Sequence, residues 1–376
     1  MVDQITYDPI YNTVAPDDFP AMLEVDRYGD RTGAFDSIIA ATHDHFWDPT
    51  DPVYVNFEQP FDLSADTILP KEMVPELNSA VADRLDAQQR IELANESTRW
   101  VLSSILHGEQ GALSLSASLC QLLRDPGAQE YAANQVREEA RHVTAYAAYM
   151  KARWGAPLPA GHTLKVLLNE MVTAPEVYKK LVGMQMLVEG LAMGAFATLH
   201  SRAKDPLLVK LTQLVMTDEA FHHKFGKIWA DRTIPKLTEE EHQRVEDWAA
   251  QCFQTLLFNL INAEQKQIIY ARFDLDWQWV RAAVMEAFTD DDRRRLMKQS
   301  NNIFRVLIKT LLKAGIITER TRGLYAMWVD MDELAGESDE MVGDPIAMAG
   351  IEYLRDINRN RKRIGRALNG EAASAA

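Results

Sequence analysis

The chain has 376 residues, of which 47% are hydrophobic, and its formal net charge is −15. This length and composition can bury a large core, as one domain or as a domain with extensions. The negative charge argues against nucleic acid or an anionic membrane as a partner, and two cysteines are too few for a disulfide framework, so a reducing cytosol fits best.

The N-terminal part, 1–84, is predicted to be an irregular arm that packs on the core. Eight of the fifteen prolines lie within its first 80 residues, and one short helix is expected near 34–42. The opening residues, MVDQITYDPI, lack the basic and apolar regions of a signal peptide. No run of 18 apolar residues follows, so we expect no bilayer span.

Helical spacing of apolar residues begins near position 86 and continues through most of the chain. The predicted helices are 85–121, 127–153, 163–173, 176–203, 206–231, 238–267, 276–288 and 291–314. No convincing β-hairpin signal separates them. The fold class is therefore all-α, and we divide the chain after the arm into a four-helix bundle (85–231), additional helices that cover it (232–330) and a polar tail (331–376) whose last residues look disordered.

Two copies of the motif Glu-x-x-His carry the chemistry. They are Glu139 to His142 and Glu219 to His222. Residues at i and i+3 share one face of a helix, so each motif can present an oxygen and a nitrogen ligand together. One such motif alone would more often be an ordinary surface pair.

Each motif is preceded, 30 residues earlier, by a glutamate in an apolar helix, Glu109 or Glu189, and an Asp-Pro turn lies between the two. A turn near 124 is equally distant from Glu109 and Glu139, so both would lie roughly 22 Å up an antiparallel hairpin, from about 1.5 Å per residue. The second hairpin repeats the first at an offset of 80 residues, because glutamates, histidines and Asp-Pro dipeptides recur at this spacing.

Two such hairpins that face each other would form a bundle with four carboxylates and two imidazoles at one height. This is the di-metal carboxylate arrangement of helical bundles. Without cations, four buried carboxylates would repel one another at a high desolvation cost. Oxygen and imidazole ligands suit iron or manganese. The predicted metal-binding and catalytic residues are Glu109, Glu139, His142, Glu189, Glu219 and His222.

With this pattern the sequence resembles the ferritin-like di-iron carboxylate superfamily over residues 85–231. That superfamily includes bacterial multicomponent monooxygenases, ribonucleotide reductase small subunits, acyl desaturases and aldehyde-deformylating oxygenases. The resemblance implies two iron ions, or a manganese–iron pair, with Glu139 and Glu219 as bridging carboxylates. It also implies the ligands of each metal. Glu109, Glu139 and His142 would bind one ion, and Glu189, Glu219 and His222 would bind the other.

The residues beside the motifs are candidates to orient the histidines, since a ligand histidine usually donates its other N–H to a carboxylate. Similar oxygenases carry an acid next to the ligand glutamate that orients the histidine of the opposite motif. Glu138 is thus expected to hold His222, and Asp218 to hold His142. Arg141 could supply the counter-charge.

Three further positions bear on the type of chemistry. Arylamine N-oxygenases of the superfamily carry an extra histidine where this chain has Val215, which lowers the weight of that activity. Tyr146 lies where the small subunits of ribonucleotide reductase have their radical tyrosine, although a packed core tyrosine is the simpler interpretation. His223 is expected in the core rather than on a metal. His43 and His45 in the arm could pair on a metal, although an isolated His-x-His is usually a loop feature.

Small residues flank the predicted ligands and could leave room for O2 and a substrate, or could allow close helix packing. They are Gly108, Gly111, Ala112, Gly190, Ala192, Gly194 and Ala195. Apolar neighbours predict a hydrophobic cavity; they are Leu106, Met186, Leu187, Met193 and Phe196.

The function expected from this site is an O2-dependent monooxygenase or hydroxylase of an apolar small molecule. It would need electrons from a ferredoxin or a reductase, and we expect a homodimer. A desaturase or other oxidase is the main alternative. Iron storage or detoxification and radical generation for a partner enzyme are the alternatives from other classes, although ferritins need little beyond one four-helix bundle and this chain has much more.

Overall fold

The computed structural model describes residues 5, 8–43, 45–289, 291–292, 295 and 303–359, without the side chains at 260 and 261. Within these residues the regular elements are helical, and the β interaction is an isolated bridge between Thr13 and Leu123. The prediction of an all-α fold is confirmed.

The α-helices of the described chain follow one another with short connections. They are α1 (Asp36–Thr42), α2 (Ala87–Leu122), α3 (Pro126–Trp154), α4 (His162–Thr173), α5 (Val177–Arg202), α6 (Pro206–Thr233), α7 (Glu239–Ile261), α8 (Gln267–Tyr270), α9 (Trp277–Ala287), α10 (Ile303–Lys313), α11 (Arg322–Tyr325), α12 (Met331–Ala335) and α13 (Asp344–Asn358). Within α5, the stretch Leu181–Val188 is π-helical.

The two predicted turns begin α3 and α6 in the same way. Asp125 accepts hydrogen bonds from the backbone N–H groups of residues 127 and 128, and Asp205 accepts one from that of residue 207. A proline follows each aspartate, where its fixed φ suits the first helical position. The local sequence therefore starts both helices at equivalent points of the repeat.

These four long helices form a bundle of two hairpins. Helix α2 packs on α3, α5 packs on α6, and α3 contacts α6. Between the hairpins, the rings of Tyr131 and Phe225 stack with centroids 4.5 Å apart and planes 5° apart. The two hairpins are therefore in direct contact through aromatic side chains of the bundle core.

The remaining elements cover the bundle. Helix α4 packs on α2 and α7, α10 packs on α5, and α13 packs on α6. The segment expected to be a polar tail contains α13, which buries Ile351 and Leu354. It approaches α6 closely because a Cβ at Gly350 would lie 2.7 Å from Thr217. Residues 360–376, which include the end of the chain that was expected to be disordered, lie outside the described residues.

Most predicted helices agree with the structure to within two or three residues. The prediction of one helix over 238–267 is wrong, because α7 ends at 261. Asn262 leaves the helical conformation, and its side chain accepts a hydrogen bond from Glu264 N at 3.1 Å, which starts a new turn. Of the helix predicted at 291–314, residues 303–313 are helical, and 290, 293–294 and 296–302 lie outside the described residues.

Helix α5 is long and apolar enough to cross a membrane by length and composition. However, 72% of its most apolar window is buried inside the protein. It is a central helix of the bundle, and one such helix is weak evidence for a membrane span.

Candidate metal centre

The structure brings all six predicted ligands together in the core of the bundle. Each is at most 6% exposed, and Glu139, His142 and Glu219 are fully buried. Glu109 comes from α2, Glu189 from α5, and the two motifs from α3 and α6. Each of the four bundle helices thus contributes ligand residues, as the 80-residue repeat predicts.

The side chains form two groups that share two carboxylates. In the first group, His142 Nδ1 lies 3.2 Å from Glu109 Oε2, 3.4 Å from Glu139 Oε2 and 3.1 Å from Glu219 Oε1. Within each group the potential ligand atoms all lie within 4.8 Å of one another.

In the second group, His222 Nδ1 lies 3.0 Å from Glu139 Oε1 and 3.2 Å from Glu219 Oε2, and Glu189 completes the group. Glu139 and Glu219 belong to both groups, each with one oxygen toward each histidine. This is the position that bridging carboxylates would occupy.

Burial raises the pKa of Glu109 to about 8 and the pKa of Glu189 well above its ordinary value, with the charge of Glu219 adding to the shift of Glu189. Burial also opposes ionisation of Glu139, but the adjacent charge of His222 brings its pKa below the ordinary value. Without metal ions, Glu109 and Glu189 therefore favour their protonated form. Two divalent ions would favour ionisation of the whole cluster.

Two orphaned oxygens test whether the residues fit such ions. Glu139 Oε2 and Glu219 Oε1 are buried, yet neither accepts a hydrogen bond from the described residues. Buried carboxylate oxygens of this kind need a cation or a donor. Oxygens and imidazole nitrogens together suit iron or manganese, so the cluster fits two metal ions.

A second layer of carboxylates holds the outer nitrogen of each histidine. His142 Nε2 donates to Asp218 Oδ2 at 2.8 Å, and His222 Nε2 donates to Glu138 Oε2 at 2.9 Å. The structure thus contains both cross-motif hydrogen bonds that we predicted. Arg141 is the counter-charge, since its Nε donates to Asp218 Oδ2 at 3.0 Å. These contacts fix the ring orientation and leave Nδ1 toward the cluster.

The N-terminal arm contributes Trp47, which the sequence did not identify, and His45, which it did. Trp47 Nε1 donates to Asp218 at 3.0 Å, and its ring stacks on His142 with centroids 6.1 Å apart. His45 is buried with Nε2 3.3 Å from Asp218 Oδ1, whereas His43 is exposed, so the two do not converge on one site. No periodicity links an irregular arm to a position 171 residues later, so only the fold reveals this contact.

An amide pair was also missed. Gln135 Nε2 lies 3.1 Å from Glu139 Oε1 and 3.2 Å from Glu189 Oε1, and Gln185 donates to Gln135 Oε1 at 3.1 Å. Gln135 lies one turn before Glu139 on the same helix face, which is a signal that the sequence offered. Gln185 lies in the π-helical stretch of α5, a geometry that is frequent at functional sites.

Tyr146 and His223 lie beside the cluster without joining either group. Tyr146 is fully buried, its hydroxyl has no hydrogen-bond partner among the described residues, and its ring stacks on Phe196 at 5.9 Å. Burial raises its pKa well above the ordinary value. His223 contacts the Glu219 backbone oxygen at 3.4 Å, and Val215 is buried in the core.

An apolar cavity with a volume of about 120 Å³ reaches the cluster. Glu109 and Glu189 form part of its wall, and most other lining side chains are apolar. They are contributed by α2, α4, α5, α7 and α10. The cavity thus adjoins one carboxylate of each metal group.

The small residues near the ligands serve both purposes that we considered. Gly108 lines the cavity, and a Cβ there would meet nothing within 4 Å. Gly111 and Gly194 instead allow close packing, because a Cβ would lie 2.6 Å from Leu168 at the first and 3.3 Å from Val306 at the second. Further small or predicted apolar residues in the cavity wall are Ala112, Ala192, Ala195 and Phe196.

Fold and site together define a class: an all-α, four-helix-bundle protein with a buried carboxylate–histidine cluster able to bind two metal ions. No protein-family model matches the sequence, and no curated protein matches it either.

The chain is similar to two solved structures. One is an R2-like ligand-binding oxidase with aerobically reconstituted metal cofactor after photoconversion, at 15% identity and a TM-score of 0.42, covering 75% of this chain and 99% of that one. The other is a mutant R2-like ligand-binding oxidase with aerobically reconstituted Mn/Fe cofactor, at 13% identity and a TM-score of 0.36, covering 86% of this chain and 93% of that one.

Proposed function

We propose that the protein is an O2-activating di-iron oxidoreductase, specifically a monooxygenase of a small apolar organic molecule. The observation that carries this proposal is the cavity, which joins an apolar binding space to Glu109 and Glu189 of the cluster. A site for metals alone needs no such space.

Each part of the site has a role in this reaction. Two bound iron ions would supply the activation of O2. Glu139 and Glu219 would bridge them, while Asp218 and Glu138 hold the histidines in the tautomer that presents Nδ1. The apolar wall of the cavity would exclude bulk water and hold the substrate C–H bond beside the cluster.

The balanced reaction is RH + O2 + 2 e⁻ + 2 H⁺ → ROH + H2O. Over many turnovers a ferredoxin or a reductase would supply the electrons. A single turnover would need no donor, because iron(II) held by the six ligand residues would supply the two electrons.

Toluene is a suitable probe, because a cavity of about 150 Å³ binds benzene and this one is of similar size. Protein loaded anaerobically with Fe(II) is mixed with toluene and ¹⁸O2, and the products are examined by mass spectrometry. We expect about two irons per chain and a hydroxylated product with one ¹⁸O atom. Glu139→Ala is the matched inactive control, and Glu130→Ala, an exposed glutamate on the same helix, is the active one.

Other outcomes identify the alternatives. Oxidised toluene products without ¹⁸O would contradict oxygen insertion and support an oxidase or desaturase. Many irons per chain, with a mineral core, would support iron storage. A tyrosyl radical seen by EPR, and lost in Tyr146→Phe, would support radical generation.

A further inference from the structure

We propose that Asn259 selects the substrate: its amide oxygen accepts a hydrogen bond from one donor group on an otherwise apolar, benzene-sized molecule. The role of Asn259 in substrate oxidation rests on the proposed function, whereas its binding of a hydrogen-bond donor does not. The substrate class is small ring compounds with a single hydroxyl or amine group.

Asn259 is a buried polar side chain in the cavity wall. It is 5% exposed, and its Oδ1 has no hydrogen-bond partner among the described residues. Buried polar oxygens are normally paired, because an unpaired one loses its water without compensation. A donor that enters the cavity would supply the missing hydrogen bond.

The other polar groups of the wall are already committed. Glu109 and Glu189 belong to the metal cluster. The hydroxyl of Ser104 donates to the Trp100 backbone oxygen at 3.0 Å. Among the residues that line the cavity, all of which are described, Asn259 therefore provides the buried side-chain acceptor that lacks a partner.

The amide and the cluster approach the cavity from different layers. Asn259 belongs to α7, which packs outside the bundle on α4 and α5, whereas Glu109 and Glu189 belong to bundle helices. A molecule between them would direct its donor group toward α7 and its apolar remainder toward the metals. The carbon to be attacked would then lie away from the polar group.

The volume limits the size of the molecule. A cavity of about 150 Å³ holds benzene, and this one measures about 120 Å³. Phenol and toluene are therefore suitable probes, since they have nearly the same shape and only phenol donates a hydrogen bond. A longer compound would extend beyond this space.

The test measures the binding of phenol and toluene by calorimetry to the wild type, Asn259→Leu and Ser104→Ala. We expect the wild type to bind phenol about tenfold tighter than toluene, which one hydrogen bond can supply. In Asn259→Leu the preference should vanish, with toluene affinity retained within about threefold. Ser104→Ala should keep the preference, because its hydroxyl is already used. A preference that survives Asn259→Leu would overturn the proposal, since it would belong to the metals or another residue.

Two further measurements keep the result interpretable. Asn259→Leu should unfold at the same or a higher temperature than the wild type, because it removes an unpaired buried amide; a clear decrease in Tm would contradict the assignment. Asn259→Ser is a smaller change that should give an intermediate preference for phenol.

Binding is measured on metal-free and on Fe(II)-loaded protein. Loss of metal binding, which would refute the proposed function, is then seen separately from loss of phenol selectivity.

Discussion

The two hairpins of the bundle are equivalent in their ligands but not in the residues that surround them. Glutamates, histidines and Asp-Pro turns repeat at an offset of 80 positions, and the structure brings all the predicted ligands into one cluster. The equivalent of Gln135, however, is Val215, and the equivalent of Arg141 is Phe221. A metal cluster constrains the ligands, whereas their neighbours are free to differ.

This asymmetry makes the two metal groups unequal. Asp218, behind His142, receives hydrogen bonds from Arg141 and Trp47, whereas Glu138, behind His222, has a weaker contact with Arg141 at 3.7 Å. Gln135, in turn, contacts the group that contains Glu189. Substitutions at equivalent positions of the two hairpins can therefore separate effects on both metal groups from effects on one group.

The largest effect is expected at the shared carboxylates. Glu139→Ala or Glu219→Ala should reduce the iron content from about two per chain to nearly none, because each residue belongs to both groups. Glu109→Ala and Glu189→Ala should each lose about one ion. Metal analysis after Fe(II) loading and desalting measures the difference, and Glu130→Ala is the control. Loss of one ion in all four variants would contradict the bridging arrangement.

The second comparison concerns the anions behind the histidines. Asp218→Asn and Glu138→Gln should each weaken metal binding about 10- to 100-fold at one site. Asp218→Asn should also lower the free energy of unfolding by about 3 kcal/mol, because it leaves Arg141 without its main buried partner. For Glu138→Gln the loss should be about 1 kcal/mol. Urea denaturation of the metal-free proteins measures this difference, and equal losses would show that Arg141 does not depend on Asp218.

The third comparison concerns Gln135. Gln135→Val copies the residue at the equivalent position of the other hairpin, and removes the amide that holds Glu139 and Glu189. We expect about tenfold weaker binding of one ion, with the other ion less affected. A metal titration followed by calorimetry resolves the two steps. Unchanged binding of both ions would mean that the amide does not position Glu189.

The smallest effect on the cluster is expected in the cavity. Gly108→Val copies Val188 of the other hairpin, and its side chain would enter open space. Metal content should remain at about two, and stability should change by no more than about 1 kcal/mol, since glycine is unfavourable within a helix. The binding of toluene should nevertheless decrease, because the side chain occupies part of the cavity. Undiminished toluene binding would place the substrate elsewhere.

The sequence predicted the parts of this site that depend on periodicity. Helix spacing and the repeat located the ligands, and the residue beside each motif predicted the hydrogen bonds of Asp218 and Glu138. Contacts from irregular chain could not be predicted, and Trp47 is the clearest case, because nothing local relates the arm to α6. The packing of α13 and the cavity itself depend on how separate helices meet, which no single helix pattern contains.

The most direct test of the account is the anomalous X-ray scattering of iron in crystals of the loaded protein. The account predicts two peaks inside the bundle, one beside His142 and one beside His222, with Glu139 and Glu219 between them. The absence of both peaks, or iron bound only at the protein surface, would contradict it.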